Sequence, residues 1–290
     1  MIREKVLHAA SLFLLGALLA AATAVAQTPA KQPKKPAPPS KQPPAAPKLQ
    51  LEPKALEILK ATSDKLAAAH TLSFTAVELF EHLTRQGAPL GYTTKYEVTL
   101  ERPDKLRVLK LGDGPANSFY YDGKSMMGYA PAENLLAVAD APPTIDATLE
   151  KAYKLAGISV PFDDLIVANP YGDLVPGLIH AYYVGQSHVV AGITTDIIAY
   201  AGDGVFVQVW IGAEDKLPRL VRAIYLDDPD HLRHELALTN WKLDEPVPAD
   251  TFSLPSSAAT AKHIPFEAAR PYTAPSTKPP VTAKPTKSKQ

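Results

Sequence analysis

The stretch from Tyr92 to Leu111, YTTKYEVTLERPDKLRVLKL, restricts the fold of this 290-residue chain more than any other. Tyr92, Thr94, Tyr96, Val98 and Leu100 share one parity, and Thr93, Lys95, Glu97, Thr99 and Glu101 share the other. That is the period-two pattern of a strand with one covered face. Arg102 to Lys105 supplies a turn, because Pro103 fixes φ at its second position and Asp104 tolerates the third. Leu106 to Leu111 then returns as the second strand. A hairpin of this length buries its apolar face only within a larger antiparallel sheet, so the other segments are to be placed on a sheet.

Composition sets the compartment and the limits of the folded part. Hydrophobic residues make up 46% of the chain, enough for a large core, but 29 prolines against 15 glycines imply that part of it is not globular. Residues 1–26 read as a cleavable secretory signal. Arg3 and Lys5 are followed by an apolar run through Leu12, Phe13, Leu14, Leu15, Leu18 and Leu19, then by Ala24-Val25-Ala26. The competing reading, a single membrane anchor, is opposed by the Ala/Thr-rich end of that run and by the cleavage pattern. With no cysteine there is neither a disulfide nor a lipid-attachment thiol, so the expectation is a soluble periplasmic protein and not a lipoprotein.

Residues 27–48 and 270–290 are proline- and lysine-rich, and both are expected to be disordered. They also conceal an imbalance. Of 30 Lys+Arg, 12 lie before residue 49 or after residue 269, which leaves 18 basic against 29 acidic residues and a charge of −11 for the domain at 49–269. The basic arms are either solvated spacers or contacts to an anionic surface. Nothing in the pattern points to nucleic acid.

Within the domain the spacing predicts a helix over 52–70, strands over 72–83, 118–121, 124–129 and 134–138, and a helix from about Thr144 to Gly157, with Asp146 as its N-cap. Pro161, Pro170, Gly172, Pro176 and Gly177 cut the following apolar stretch into short helices. Strands resume over 181–185, 189–200, 205–211, 217–226 and 232–243. Helix, meander, helices, meander predicts one α+β domain, a curved antiparallel sheet curled around helices.

Six ordered blocks carry a family resemblance: PKALEILKATSDKLAAAHTLSFTA, RPDKLRV, FYYDGK, TIDATLEKAYK, VQVWIGAEDKLPRLV and ADTFSLP. Over Leu51 to about Phe266 the chain resembles a family of predicted periplasmic proteins, domain of unknown function 2092. Families of this kind are similar in fold to the lipoprotein carriers LolA and LolB, which implies an unclosed β-barrel with helices on its concave side. The resemblance implies a LolA-like binding module, carrier or sensor, and brings no catalytic residues with it.

The sequence lacks HExxH, Gly-x-Ser-x-Gly and GxxxxGK[ST]. Asp227 to Glu235 holds metal-ligand residue types, but His231 and His234 would diverge on a strand and the acids fall where a turn is expected. Ser187 and His188, adjacent on a strand, diverge as well. No catalytic residue, cofactor or metal is therefore assigned. The remaining feature is apolar: Tyr92, Tyr96, Val98, Leu100, Phe119, Tyr121, Met127, Trp210 and Tyr225 either fill a core or line a hydrophobic site. The sequence thus predicts a non-catalytic binding module for a hydrophobic ligand, an acyl chain, lipid or lipoprotein, held between sheet and a helical lid at 157–177. An envelope sensor or scaffold with a protein partner is the second reading, and an enzyme the last.

Overall fold

A computed structural model describes residues Gln50 to Ala269. The expected signal and both basic arms lie outside the described residues. Among the described residues thirteen strands form one sheet in the order β1-β8-β9-β10-β11-β12-β2-β3-β4-β5-β6-β7-β13. Its two end strands, β1 (Gln50–Leu51) and β13 (Lys262–Ile264), do not pair with each other, so the sheet is not closed into a barrel. Both end strands run parallel to their neighbours, β8 (Leu178–Ser187) and β7 (Leu135–Asp140); every other pairing is antiparallel. The sheet is mixed, where the sequence predicts a purely antiparallel one. The difference lies in two end strands of two and three residues, too short to show a period.

The predicted hairpin is the centre of this sheet. β2 (Thr71–Leu83), β3 (Pro89–Glu101), β4 (Lys105–Gly112), β5 (Asn117–Tyr121) and β6 (Ser125–Ala130) pair in sequence. Alternation puts cross-strand neighbours on one face in rows: Leu72, Leu100, Leu106, Tyr121 and Met126 form one, and Phe74, Val98, Val108 and Phe119 the next. Every residue of the first row is at most 1% exposed. These rows carry the largest core, which α2 (Ile145–Ala156) covers with Ile145, Leu149, Ala152 and Ala156. Removing such side chains from water is the main stabilising term.

The second half of the sheet comprises β8, β9 (Thr195–Gly202), β10 (Val205–Gly212), β11 (Pro218–Tyr225) and β12 (Arg233–Leu243). It is covered by the first part of α1 (Pro53–Ala68), whose Ala55, Ile58 and Leu59 meet Leu178, Ile198, Val207, Val209 and Ile211. Leu66, two turns further along the same helix, joins the core beneath α2. One helix thus bridges both halves. On the opposite, convex face the C-terminal segment returns, and Ala258 and Ala261 pack on Tyr120, Met127, Tyr129 and Leu136. No helix of the described residues is long and apolar enough to cross a membrane.

Candidate ligand-binding face

The concave face divides into a covered half and an open half. Over the covered half lies the chain between α2 and β8, which contains only α3 (Asp163–Ile166), α4 (Pro170–Leu174) and one 3-10 turn. Proline and glycine keep these pieces short, as their spacing predicts. Phe162, 1% exposed, enters the sheet from this segment. Its ring lies edge-on to Phe74 at 5.3 Å and to Tyr96 at 5.3 Å, and Phe74 stacks on Trp241 at 4.5 Å. Ile166, 0% exposed, fills the space beside it. The interior beneath this segment is therefore occupied by the segment's own side chains.

Polar contacts hold the segment down from three directions. The Arg102 guanidinium donates to the Ile166 carbonyl (2.9 Å) and to the Leu66 carbonyl of α1 (3.4 Å). Burial pulls the pKa of Arg102 down while the charge of Asp146 opposes that shift. The Asp146 carboxylate accepts from the Ala168 amide at 3.2 Å, and Ser63 Oγ on α1 accepts from the Tyr171 amide at 2.9 Å. Asp146 is not the N-cap of α2; Thr144 Oγ1 fills that role by accepting from the Ala147 amide. The acid is left in the first helical turn, free to reach across to the covering segment.

Towards the far ends of β2 and β3 the same face is uncovered. Phe80, His82 and Tyr92 meet ring to ring, with Phe80 and Tyr92 stacked at 5.8 Å, and Tyr225 lies edge-on to His234 at 5.1 Å. Phe80 pairs in register with both Tyr92 and His234, so these rings border one another across β3, β2, β12 and β11. Between the two halves the Tyr96 hydroxyl donates to Glu78 Oε2 at 3.0 Å. Burial raises the pKa of Glu78, against the lowering effects of that hydrogen bond and of Lys110. Burial likewise raises the pKa of Tyr96, helped by the neighbouring carboxylate. Burial lowers that of His234, with His82 acting in the same direction.

Of the nine residues singled out from the sequence, Tyr96, Val98, Leu100, Phe119 and Tyr121 come together in the covered core, and Tyr92 and Tyr225 stand at the open rim. Met127 and Trp210 do not join them. Met127 belongs to the convex-face cluster under Ala258 and Ala261. Trp210 alternates with Val209 and Ile211, which point into the concave core, so its ring lies on the other side of the sheet. The tryptophan that reaches the site is Trp241. It follows Asn240, whose φ is 56°, at a register shift between Thr239 and Lys242. This bulge exchanges the faces, and Trp241 Nε1 donates to the Pro218 carbonyl at 2.9 Å. Strict alternation in the sequence conceals it.

Asp228, in the stretch considered for metal binding, accepts from the amides of Asp230 and Leu232, as a turn-capping acid does. Among the described residues no three His, Cys, Asp or Glu side chains gather to hold a metal ion.

The family described as "Predicted periplasmic protein (DUF2092)" matches residues 55–267. No curated relative matches the chain at a significant level. Among solved structures the chain is similar to MucB in the Pseudomonas aeruginosa MucA/MucB complex, at 16% identity and a TM-score of 0.40, with 70% of this chain and 62% of that chain covered. It is also similar to LprF from Mycobacterium bovis, at 16% identity and a TM-score of 0.42, with 68% and 96% covered. A third likeness is the LolA superfamily protein NE2245 from Nitrosomonas europaea, at 13% identity and a TM-score of 0.32, with 69% and 97% covered. The chain spans less than two thirds of the MucB chains that it matches, 60–64%.

Proposed function

The chain belongs to the DUF2092 family of predicted periplasmic proteins, and from that premise we propose a periplasmic binding module without catalytic machinery. Its ligand is an apolar chain, of a lipid or a lipoprotein, received on the concave face of the sheet. The observation that supports this reading is Phe162. The space bounded by Phe74, Tyr96 and Trp241 is filled by the Phe162 ring, with Ile166 beside it, both carried on a segment of short helices, and the aromatic rim of Phe80, Tyr92 and Tyr225 lies open alongside. Helices of four and five residues lack the internal hydrogen-bond ladder of a long helix, so this segment opens more readily than the sheet beneath it.

Magnitudes favour an exchange of plug for ligand. Withdrawing the Phe162 and Ile166 side chains from their apolar sites costs about 1.5–3 kcal/mol each. Each methylene of an entering acyl chain contributes about 0.8 kcal/mol, or roughly 10 kcal/mol for a chain of ordinary length before binding costs. That gain is of the size needed to offset both side chains and the hydrogen bonds that tether the segment, at about 1 kcal/mol each. No polar recognition is needed for useful affinity, which fits a site whose polar groups, Glu78 and the Tyr96 hydroxyl, are already paired with each other.

Native mass spectrometry and lipid extraction of the protein purified from its own cell envelope test the proposal. A co-purifying acyl species is the expected result. A co-purifying protein with no lipid would favour the sensor or scaffold reading, and hydrolysis dependent on one polar side chain would favour an enzyme.

A further inference from the structure

A row of cross-strand neighbours on the convex face, away from the helices, has charge at both ends and small hydroxyls between. Lys242 on β12 is in register with Ser73 on β2, Ser73 with Thr99 on β3, and Thr99 with Arg107 on β4. Three strand spacings separate the two cations, roughly 14 Å between backbones, a gap that two long side chains close from either end. Ser73 and Thr99 are too short to fill it. The segment Glu245 to Pro248, together with Thr251, walls the row, and the result is a pocket of ≈ 180 Å³.

Arg107 lacks the partners that its position calls for. Its guanidinium makes one long contact, 3.4 Å to Thr99 Oγ1, and its buried Nε has no acceptor among the described residues. Two other arginines leave Nε without an acceptor, but Arg102 donates to two carbonyls and Arg222 has Glu235 within 3.9 Å. The acids diagonal to Arg107 on β3 are engaged elsewhere, Glu97 by Lys95 at 2.6 Å and Glu101 by Lys105 at 2.5 Å. A partly buried guanidinium without a carboxylate is costly unless an anion arrives to accept from it. Lys242 at the other end pairs with Glu245 at 2.9 Å, both side chains more than half exposed. That pair opens at little cost.

We propose that this pocket binds a phosphate group, with Arg107 as its fork-shaped donor, Lys242 as the second cation, and Ser73 and Thr99 as hydroxyl donors. Guanidinium and ammonium together match an oxyanion with several acceptor oxygens, through charge-assisted hydrogen bonds. Glu245 competes for Lys242 and is the electrostatic opponent of the ligand. The site is independent of the concave face and does not rest on what that face holds.

Calorimetric titration of the whole protein with inorganic phosphate tests the assignment, with Arg107→Gln and Glu245→Gln as opposing variants. Arg107→Gln should weaken binding by about tenfold or more, and Glu245→Gln, which frees Lys242, should tighten it. Phosphate should also raise the melting temperature of the parent protein and leave that of Arg107→Gln unmoved, a readout that separates loss of the site from loss of the fold. Sedimentation with vesicles of phosphatidylglycerol against phosphatidylcholine distinguishes the source. Binding of phosphatidylglycerol that Arg107→Gln abolishes identifies a lipid headgroup, and binding of free phosphate alone identifies a soluble one. Absence of phosphate binding up to about 10 mM, or equal binding by parent and Arg107→Gln, overturns the proposal.

Discussion

Phe162 carries two duties that a single substitution separates. As a core side chain touching Phe74 and Tyr96, its removal in Phe162→Ala should cost about 3–5 kcal/mol, measurable by urea denaturation. As a plug, its removal should leave a hollow that takes up a fluorescent fatty acid more tightly than the parent does. A core residue alone would give the first effect without the second. Arg102 is its polar counterpart: Arg102→Met should lose about 1–3 kcal/mol and raise amide exchange across residues 158–177 before it raises exchange elsewhere. His234 sets an acid limit. Burial beside His82 keeps its folded pKa below 6.5, so the unfolded chain takes up the proton first and this part of stability disappears as pH falls through that region. His234→Gln should therefore lose less stability than the parent between about pH 7.5 and about pH 5, as read by denaturation at the two values.

At the scale of elements, local rules account for the parts that obey one period from end to end. Both strands of the hairpin, α1, and the Gly157 stop of α2 at φ 66° stand where spacing and turn chemistry place them. The departures have identifiable physical causes. β1 and β13 are shorter than any periodic signal, and Trp241 changes faces at a bulge that a run of alternating residues does not announce. Thr144 displaces Asp146 as the cap of α2 because a threonine one residue before the helix reaches the same amides, which leaves the acid for Ala168. Thr144→Ala should cost about 0.5–2 kcal/mol without altering exchange in the covering segment, whereas Asp146→Asn should loosen that segment more than the helix. The candidate site was legible only in part. The aromatic positions of β3 and β5 were visible from parity, but the residues that fill and latch the face, Phe162 and Arg102, act across more than sixty positions of sequence.

For the whole molecule, ligand uptake as proposed requires one motion, the departure of residues 158–177 from a sheet that stays put. The chain has no cysteine, so a pair introduced at Ser63→Cys and Tyr171→Cys would form a single disulfide. It would lock this segment to α1 where Ser63 Oγ already accepts from the Tyr171 amide at 2.9 Å. The decisive measurement is acyl-chain retention by this doubly substituted protein, oxidised and then reduced. The oxidised form should take up no chain, and reduction should restore uptake to the parent level. Equal uptake in both states would show that the ligand never passes beneath the segment.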